Sequence, residues 1–343
     1  MRRAREYEDM QRNTFISNRI IAAVALLLSS GAPAFAGTDV NSPLDLALLA
    51  PTQGLAPAQG ATAATPPEPA SAPAPQVSGI DGLVDDWYST IAHAKATQPE
   101  WSSPLVTTTA MLEQRFRFDI DVQHAGNGSD TTVLDGGKGF DLIVSDTEEI
   151  QVAAPPYDYY SALKKKNDYV GFGDWSVLRF KQRLLSSPAD QGDYILSAWL
   201  QLQLPTGIEK VTNHAVSLVP TIGFGKGFGP FDVQGSVGAS IPTAYEGKLG
   251  TQVQANVALQ YHLLTYFWPQ VEFNSVYYSN GQRNGLDQLF VTPGVVIGRL
   301  PIANHVYFTV GVGYQQALAP TYQAKPLTPA YEHAWIVTTR IGF

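Results

Sequence analysis

The residues with the most chemical potential are charged side chains that fall on every second position. Glu113, Arg115, Arg117, Asp119 and Asp121 do so in LEQRFRFDIDV, and Arg179, Lys181 and Arg183 repeat the spacing in VLRFKQRLL. Asp141 and Glu149 lie in two short segments between them, and Arg340 stands near the end of the chain. A spacing of two puts such groups on one face of an extended strand, within reach of partners on neighbouring strands. Acids and bases are mixed, which suits a self-neutralising network more than a filter for one sign of ion. A second set is uncharged but polar with one acid: Gln254, Asn256, Gln260, Glu272 and Asn274. Together the two sets could line a wet interior and form a constriction, the second suiting a neutral or aromatic solute.

Other chemistry finds little support. There is no Cys, which removes disulfides, thiolate metal sites and a Cys nucleophile. The six His are scattered without paired-ligand spacing, so no metal or other cofactor is expected. GFGKGFG (223–229) has the glycines of a phosphate loop but joins two alternating segments, so it reads as a tight turn. Twelve-stranded barrels include outer-membrane phospholipases. Their His-x-Ser arrangement is missing, because Ser217 follows His214 at three positions rather than two. The chain therefore reads as a non-enzyme, with lipid hydrolysis the lesser alternative. A formal charge of −8 argues against a nucleic-acid partner.

The elements that must hold these faces are β-strands. From about Leu105 to Phe343 the chain alternates apolar and polar residues with short interruptions. The last segment, YEHAWIVTTRIGF, puts Trp335, Val337 and Ile341 on one face and Ala334, Thr338 and Arg340 on the other. About twelve such strands can be counted, and short and long connections alternate between them, as in outer-membrane barrels. Aromatics cluster near strand ends, as at Phe224, Phe228 and Phe231, in the manner of interfacial girdles. The expected fold is all-β, a transmembrane antiparallel up-and-down barrel with apolar residues toward lipid and polar ones toward the lumen.

The N-terminal third differs. Residues 1–36 carry five Arg, an apolar core from Ile20 to Leu28, and Ala34-Phe35-Ala36 before Gly37, as in a cleavable export signal. Residues 37–78 are Ala/Pro-rich and read as a disordered tether. Residues 79–104 contain a short amphipathic helix with Leu83, Trp87 and Ile91 on one face. It is read as a periplasmic cap, with a plug in the barrel mouth as the alternative, and 105–343 as the barrel. An even strand count returns both ends to the periplasm.

Several runs, in order, resemble outer-membrane proteins of the phenol meta-degradation pathway family. They include QPEWSSPLVTTTAMLEQRFRFD (98–119), GGKGFDLI (136–143), EIQVAAPPY (149–157) and GFGDWSVLRFKQRLL (171–185). LQLPTG (202–207), GFGKGFGPFDVQ (223–234), WPQVEFN (268–274) and FVTPGVVIGR (290–299) continue the series. The resemblance implies an outer-membrane barrel in a Gram-negative cell and transport of aromatic or other hydrophobic compounds. It brings no catalytic residues with it. The last strand also resembles the terminal strand of bacterial outer-membrane β-barrels, which makes Phe343 part of the signal read by the barrel-insertion machinery; that machinery, outer-membrane lipid and a small solute are the expected partners. The alternative function is a structural or surface-interaction barrel acting through loops 158–169 and 318–330.

Overall fold

The computed structural model describes residues 79–162, 167–319 and 331–343. The export signal and tether therefore lie outside the described residues, as does most of the 318–330 loop and the middle of 158–169. After a helix, α1 (Ile80–Ala96), come β1 (Arg115–His124), β2 (Asp130–Leu134), β3 (Gly139–Ser145), β4 (Glu148–Ala153) and β5 (Tyr157–Ser161). Next are β6 (Tyr169–Phe172), β7 (Trp175–Ser187), β8 (Tyr194–Leu204), β9 (Ser217–Phe228) and β10 (Phe231–Pro242). A single helical turn, α2 (Glu246–Leu249), precedes β11 (Gln252–Tyr261) and β12 (Phe267–Tyr278). The chain ends with β13 (Asp287–Ala303), β14 (Val306–Ala319) and β15 (His333–Gly342).

All neighbours are antiparallel, and β15 pairs with β1 from Arg115↔Gly342 to His124↔His333, which closes the ring. The fifteen segments make twelve staves. Three staves are each broken once, β2/β3 at Asp135–Lys138, β4/β5 at Ala154–Pro156 and β6/β7 at Gly173–Asp174. Prolines 155 and 156 cannot donate to a ladder, and the glycines at 136, 137 and 173 tolerate sharp bends, so the breaks fall where the sequence demands them. The expected twelve-stranded barrel is the observed one.

The two faces separate cleanly. Phe140, Val152, Phe180, Leu200, Ile222, Val237, Trp335 and Ile341 are exposed on the outside. Arg115, Asp141, Glu149, Lys181, Gln234, Glu272, Thr292 and Arg340 are buried within. A soluble barrel has the opposite sidedness, since water rewards an apolar interior. No helix among the described residues is long and apolar enough to cross a membrane, which says nothing of strands.

The N-terminal segment departs from the expected layout. The first strand begins at Arg115, ten residues after the start of alternation. α1 crosses the rim that carries the short turns. Its face is Trp87, Ile91 and Ala94, packed against Leu112 and Ile143, while Leu83 is left out in solvent at 71% exposure. The Trp87 indole N–H donates to the Ile143 carbonyl at 2.8 Å. The helix stops where the Thr97 hydroxyl turns back onto the His93 carbonyl at 2.9 Å and Pro99 follows.

Residues 98–112 then enter the barrel as a loop, rise to about its middle near Thr108 and return to start β1. The Gln98 side chain ties the two legs at the base, donating to the Leu112 carbonyl and accepting the Leu112 N–H, both at 2.9 Å. Val106 to Thr109 have the β-branched composition of a strand, which is why the sequence misleads here. The N–H groups of Leu105, Val106 and Thr107 find their partner in a wall side chain, Glu272, rather than in a ladder.

Candidate functional site

The site is the barrel interior and the loop inside it. Wall glycines prepare the space. In β9, Gly223, Gly225 and Gly227 face inward at every second position, and a Cβ on any of them would collide with Trp199, Trp101 or Asp193. The glycine-rich run is therefore mainly strand, with only Gly229-Pro230 as the turn, and its bare inner face receives the Trp101 ring. Across the lumen, a Cβ at Gly311 or Gly313 would lie 2.7 Å from a Leu105 methyl carbon. Trp101, Leu105, Ala110 and Met111 of the loop thus pack with Ile195, Trp268 and Val296 of the wall in one apolar cluster.

Gly313→Leu should evict Leu105 from its seat while leaving the strand intact. Burial of a leucine is worth about 2 kcal/mol, so the population with an undocked loop should rise roughly thirtyfold. Chymotrypsin cleavage within 98–112 should accelerate by a similar factor, with the barrel band unchanged on a gel.

Polar contacts hold the loop more extensively than apolar ones. Glu272, fully buried on β12, accepts the backbone N–H groups of Leu105 (2.6 Å), Val106 (3.0 Å) and Thr107 (2.6 Å). Three successive N–H groups around one carboxylate form an anion nest. Arg340 donates to the carbonyls of Ser103 (2.6 Å) and Pro104 (2.7 Å), and Arg117 to that of Leu105. Gln234 donates to Ser102 O at 2.8 Å, Lys181 to Met111 O at 2.8 Å, and Ser197 to Ala110 O at 2.6 Å.

The charged positions expected on the lumen face are placed there, and most are neutralised locally. Asp141 takes Arg115 Nε at 2.9 Å and Arg179 at 3.1 Å. Glu149 takes Lys181 at 2.9 Å and the Glu113 N–H at 2.6 Å, and Glu113 lies 3.3 Å from Arg115. Arg117 pairs with Asp119 at 2.7 Å. Arg183 sits lower, bonded to the Ala94 carbonyl of α1 at 2.7 Å. Asp121 makes no ion pair among the described residues, and its Oδ1 has no hydrogen-bond partner there. Asn274 bonds Asn256 at 3.0 Å and Thr107 at 3.4 Å, while Gln260 is buried beside Gln234. Phe343 follows β15, its N–H donating to Gln114 O at 3.2 Å.

Cavities lie on either side of the loop. An outer vestibule of about 340 Å³ opens at the rim with the long connections, lined by Gln201, Gln203, Gln252, Gln254, Asn256 and Trp199 among others. An inner cavity of about 310 Å³ opens at the short-turn rim, between Lys95, Trp101, Arg115, Arg299 and Arg340. The loop residues and Gln234, Ser197 and Trp268 were not anticipated as part of the site. The recurring inward glycines were the available signal, since a lumen wall without side chains implies that something else fills the space. His214 is exposed in the connection before β9, its Nε2 3.5 Å from Glu209, and Ser217 lines the vestibule.

This architecture defines a class: a closed antiparallel barrel, apolar outside and polar within, stoppered by its own N-terminal loop. No family model matches the chain, and no curated protein matches it. Among solved structures it is similar to an outer membrane channel of Pseudomonas putida F1, at 12% identity and a TM-score of 0.46 over 70% of this chain and 98% of that one. It is also similar to the NanC porin, at 7% identity and 0.42 over 66% and 98%. OmpT, an outer membrane protein of Vibrio cholerae, is similar at 12% identity and 0.29 over 67% and 95%. None of the three is close enough to carry a function to this chain.

Proposed function

We propose that the protein is a Gram-negative outer-membrane channel for a small, hydrophobic or aromatic solute that also bears hydrogen-bonding groups. Residues 98–112 are its gate. One observation carries this reading: the loop is fastened to the wall chiefly by side chains bonding its backbone. Such bonds can be exchanged for water one by one, at about 1 kcal/mol for a neutral partner and about 1.5–3 kcal/mol for a charged one. The exposed apolar belt contacts lipid, the short-turn rim faces the periplasm, and α1 and the gate are approached from that side. Phe343, closing the last strand, is read as the residue the insertion machinery recognises.

The chain has no Cys, so a clean lock can be built. Thr107 and Asn274 have side chains 3.4 Å apart across the gate and wall. Cells producing Thr107→Cys/Asn274→Cys should take up labelled phenol at the rate of a deletion strain when oxidised. Reductant should restore the wild-type rate. Equal uptake in deletion, locked and wild-type cells would remove the channel reading.

A further inference from the structure

The chain as a whole is acidic, with 30 Asp and Glu against 22 Lys and Arg. The vestibule and the inner cavity are nevertheless cationic, although a third cavity at the short-turn rim carries Glu100, Asp193 and Asp232 against Arg299. The vestibule lining contains no carboxylate, and its one charged side chain is Arg283, on the short turn Gly281–Arg283. Its NH1 donates to the Tyr278 hydroxyl at 3.2 Å and the guanidinium lies 5.2 Å from that ring's centre. It forms no salt bridge among the described residues, and Glu246, on the helical turn packed against it, accepts Asn280 Nδ2 at 3.0 Å instead. Asp174 stands close to the rim, but its carboxylate already accepts the N–H groups of Gly207 (3.1 Å) and Asn213 (2.8 Å).

The inner cavity repeats the bias, with Lys95, Arg115, Arg299 and Arg340 against Glu100 and Glu113. Burial pulls the Lys95 ammonium below its usual value, and Glu113 opposes that shift. Arg299 donates to Trp101 O at 2.9 Å and Arg340 to the two loop carbonyls described above. Neither meets a carboxylate at salt-bridge distance among the described residues. A guanidinium bonded only to neutral carbonyls keeps its full field, and narrow low-dielectric walls focus it.

Resting on the channel reading, we propose that the solute is a small organic monoanion, a carboxylate carrying hydroxyl groups, captured first at Arg283. The planar guanidinium matches a carboxylate in a two-bond fork. Vestibule carboxamides and hydroxyls can both donate to and accept from the ligand's hydroxyls, and Trp199 offers an aromatic surface at the floor. A neutral analogue loses the fork. A cation entering the vestibule meets the Arg283 guanidinium with no carboxylate in the lining to hold it.

The test uses 4-hydroxybenzoate and its uncharged counterpart 4-hydroxybenzyl alcohol, titrated calorimetrically into the full-length protein in detergent at low salt. The acid should bind about tenfold more tightly. Arg283→Gln should bring it to the level of the alcohol, and Arg283→Lys should retain part of the preference. Equal binding of the two probes, or an unchanged preference in Arg283→Gln, overturns the inference. A bilayer measurement on a gate-opened variant separates the two claims. A reversal potential on the chloride side supports the inference, and one on the potassium side overturns it while leaving a channel. Carboxylate binding without conductance in any variant would keep the site and remove the channel.

Discussion

Glu272→Gln should turn a closed barrel into one that conducts. The carboxylate holds three backbone N–H groups of the gate at 2.6 to 3.0 Å. A glutamine is nearly isosteric but removes the charge, and it presents an NH₂ group where the gate presents its own N–H. Hydrogen bonds to a charged group are worth about 1.5–3 kcal/mol each, so a net loss of about 3 kcal/mol is a restrained figure for the set. That corresponds to a roughly hundredfold rise in the fraction of time the gate is undocked. In planar bilayers, wild type should give rare openings and Glu272→Gln frequent ones at the same unit conductance. Oxidising Glu272→Gln combined with the Thr107→Cys/Asn274→Cys pair should silence it again. Equal open probability in wild type and Glu272→Gln would show that the nest does not hold the gate.

The wall of this molecule was open to reading because a barrel has only one period. Lys181 and Phe180 occupy adjacent positions and opposite faces, and the same rule places Glu272 inward and Phe273 away from it. The sidedness itself was undecidable from pattern, since a soluble barrel alternates equally well; the structure decides it by exposing Phe180 and burying Lys181. The gate was not legible for a different reason. Residues 105–110, LVTTTA, have the β-branched content of a strand, and nothing local tells a strand from a loop whose partners are side chains. The distinguishing facts are distant in sequence. Glu272 lies 165 to 167 residues from the N–H groups it accepts, and Gly311 and Gly313 sit opposite the leucine they accommodate. Leu83 failed for a simpler reason: helical periodicity names a face, but the helix overhangs the rim before that face finds a wall.

The largest loss of stability should come from Asp141→Asn. Asp141 is wholly buried and serves two guanidiniums, Arg115 at 2.9 Å and Arg179 at 3.1 Å, while Gln151 donates to it at 2.8 Å. Neutralising it leaves two buried cations sharing the remaining acids. Arg115 keeps Glu113 at 3.3 Å, but Arg179 falls back on Glu149 at 3.7 Å, which Lys181 already occupies. Breaking one partner of a buried pair costs about 3–5 kcal/mol, mostly from the charge left unmatched. The midpoint of urea unfolding from lipid vesicles should therefore drop, with an unchanged slope if only stability is altered. Adding Arg179→Gln to Asp141→Asn should recover part of the loss, because it removes the stranded charge itself. A purely additive double variant would indicate that the two residues act independently. The contrast with Glu272 separates two jobs within one polar interior. Asp141 binds stave to stave, so its loss weakens the wall; Glu272 binds wall to gate, so its loss should open the lumen and leave the unfolding midpoint much less affected.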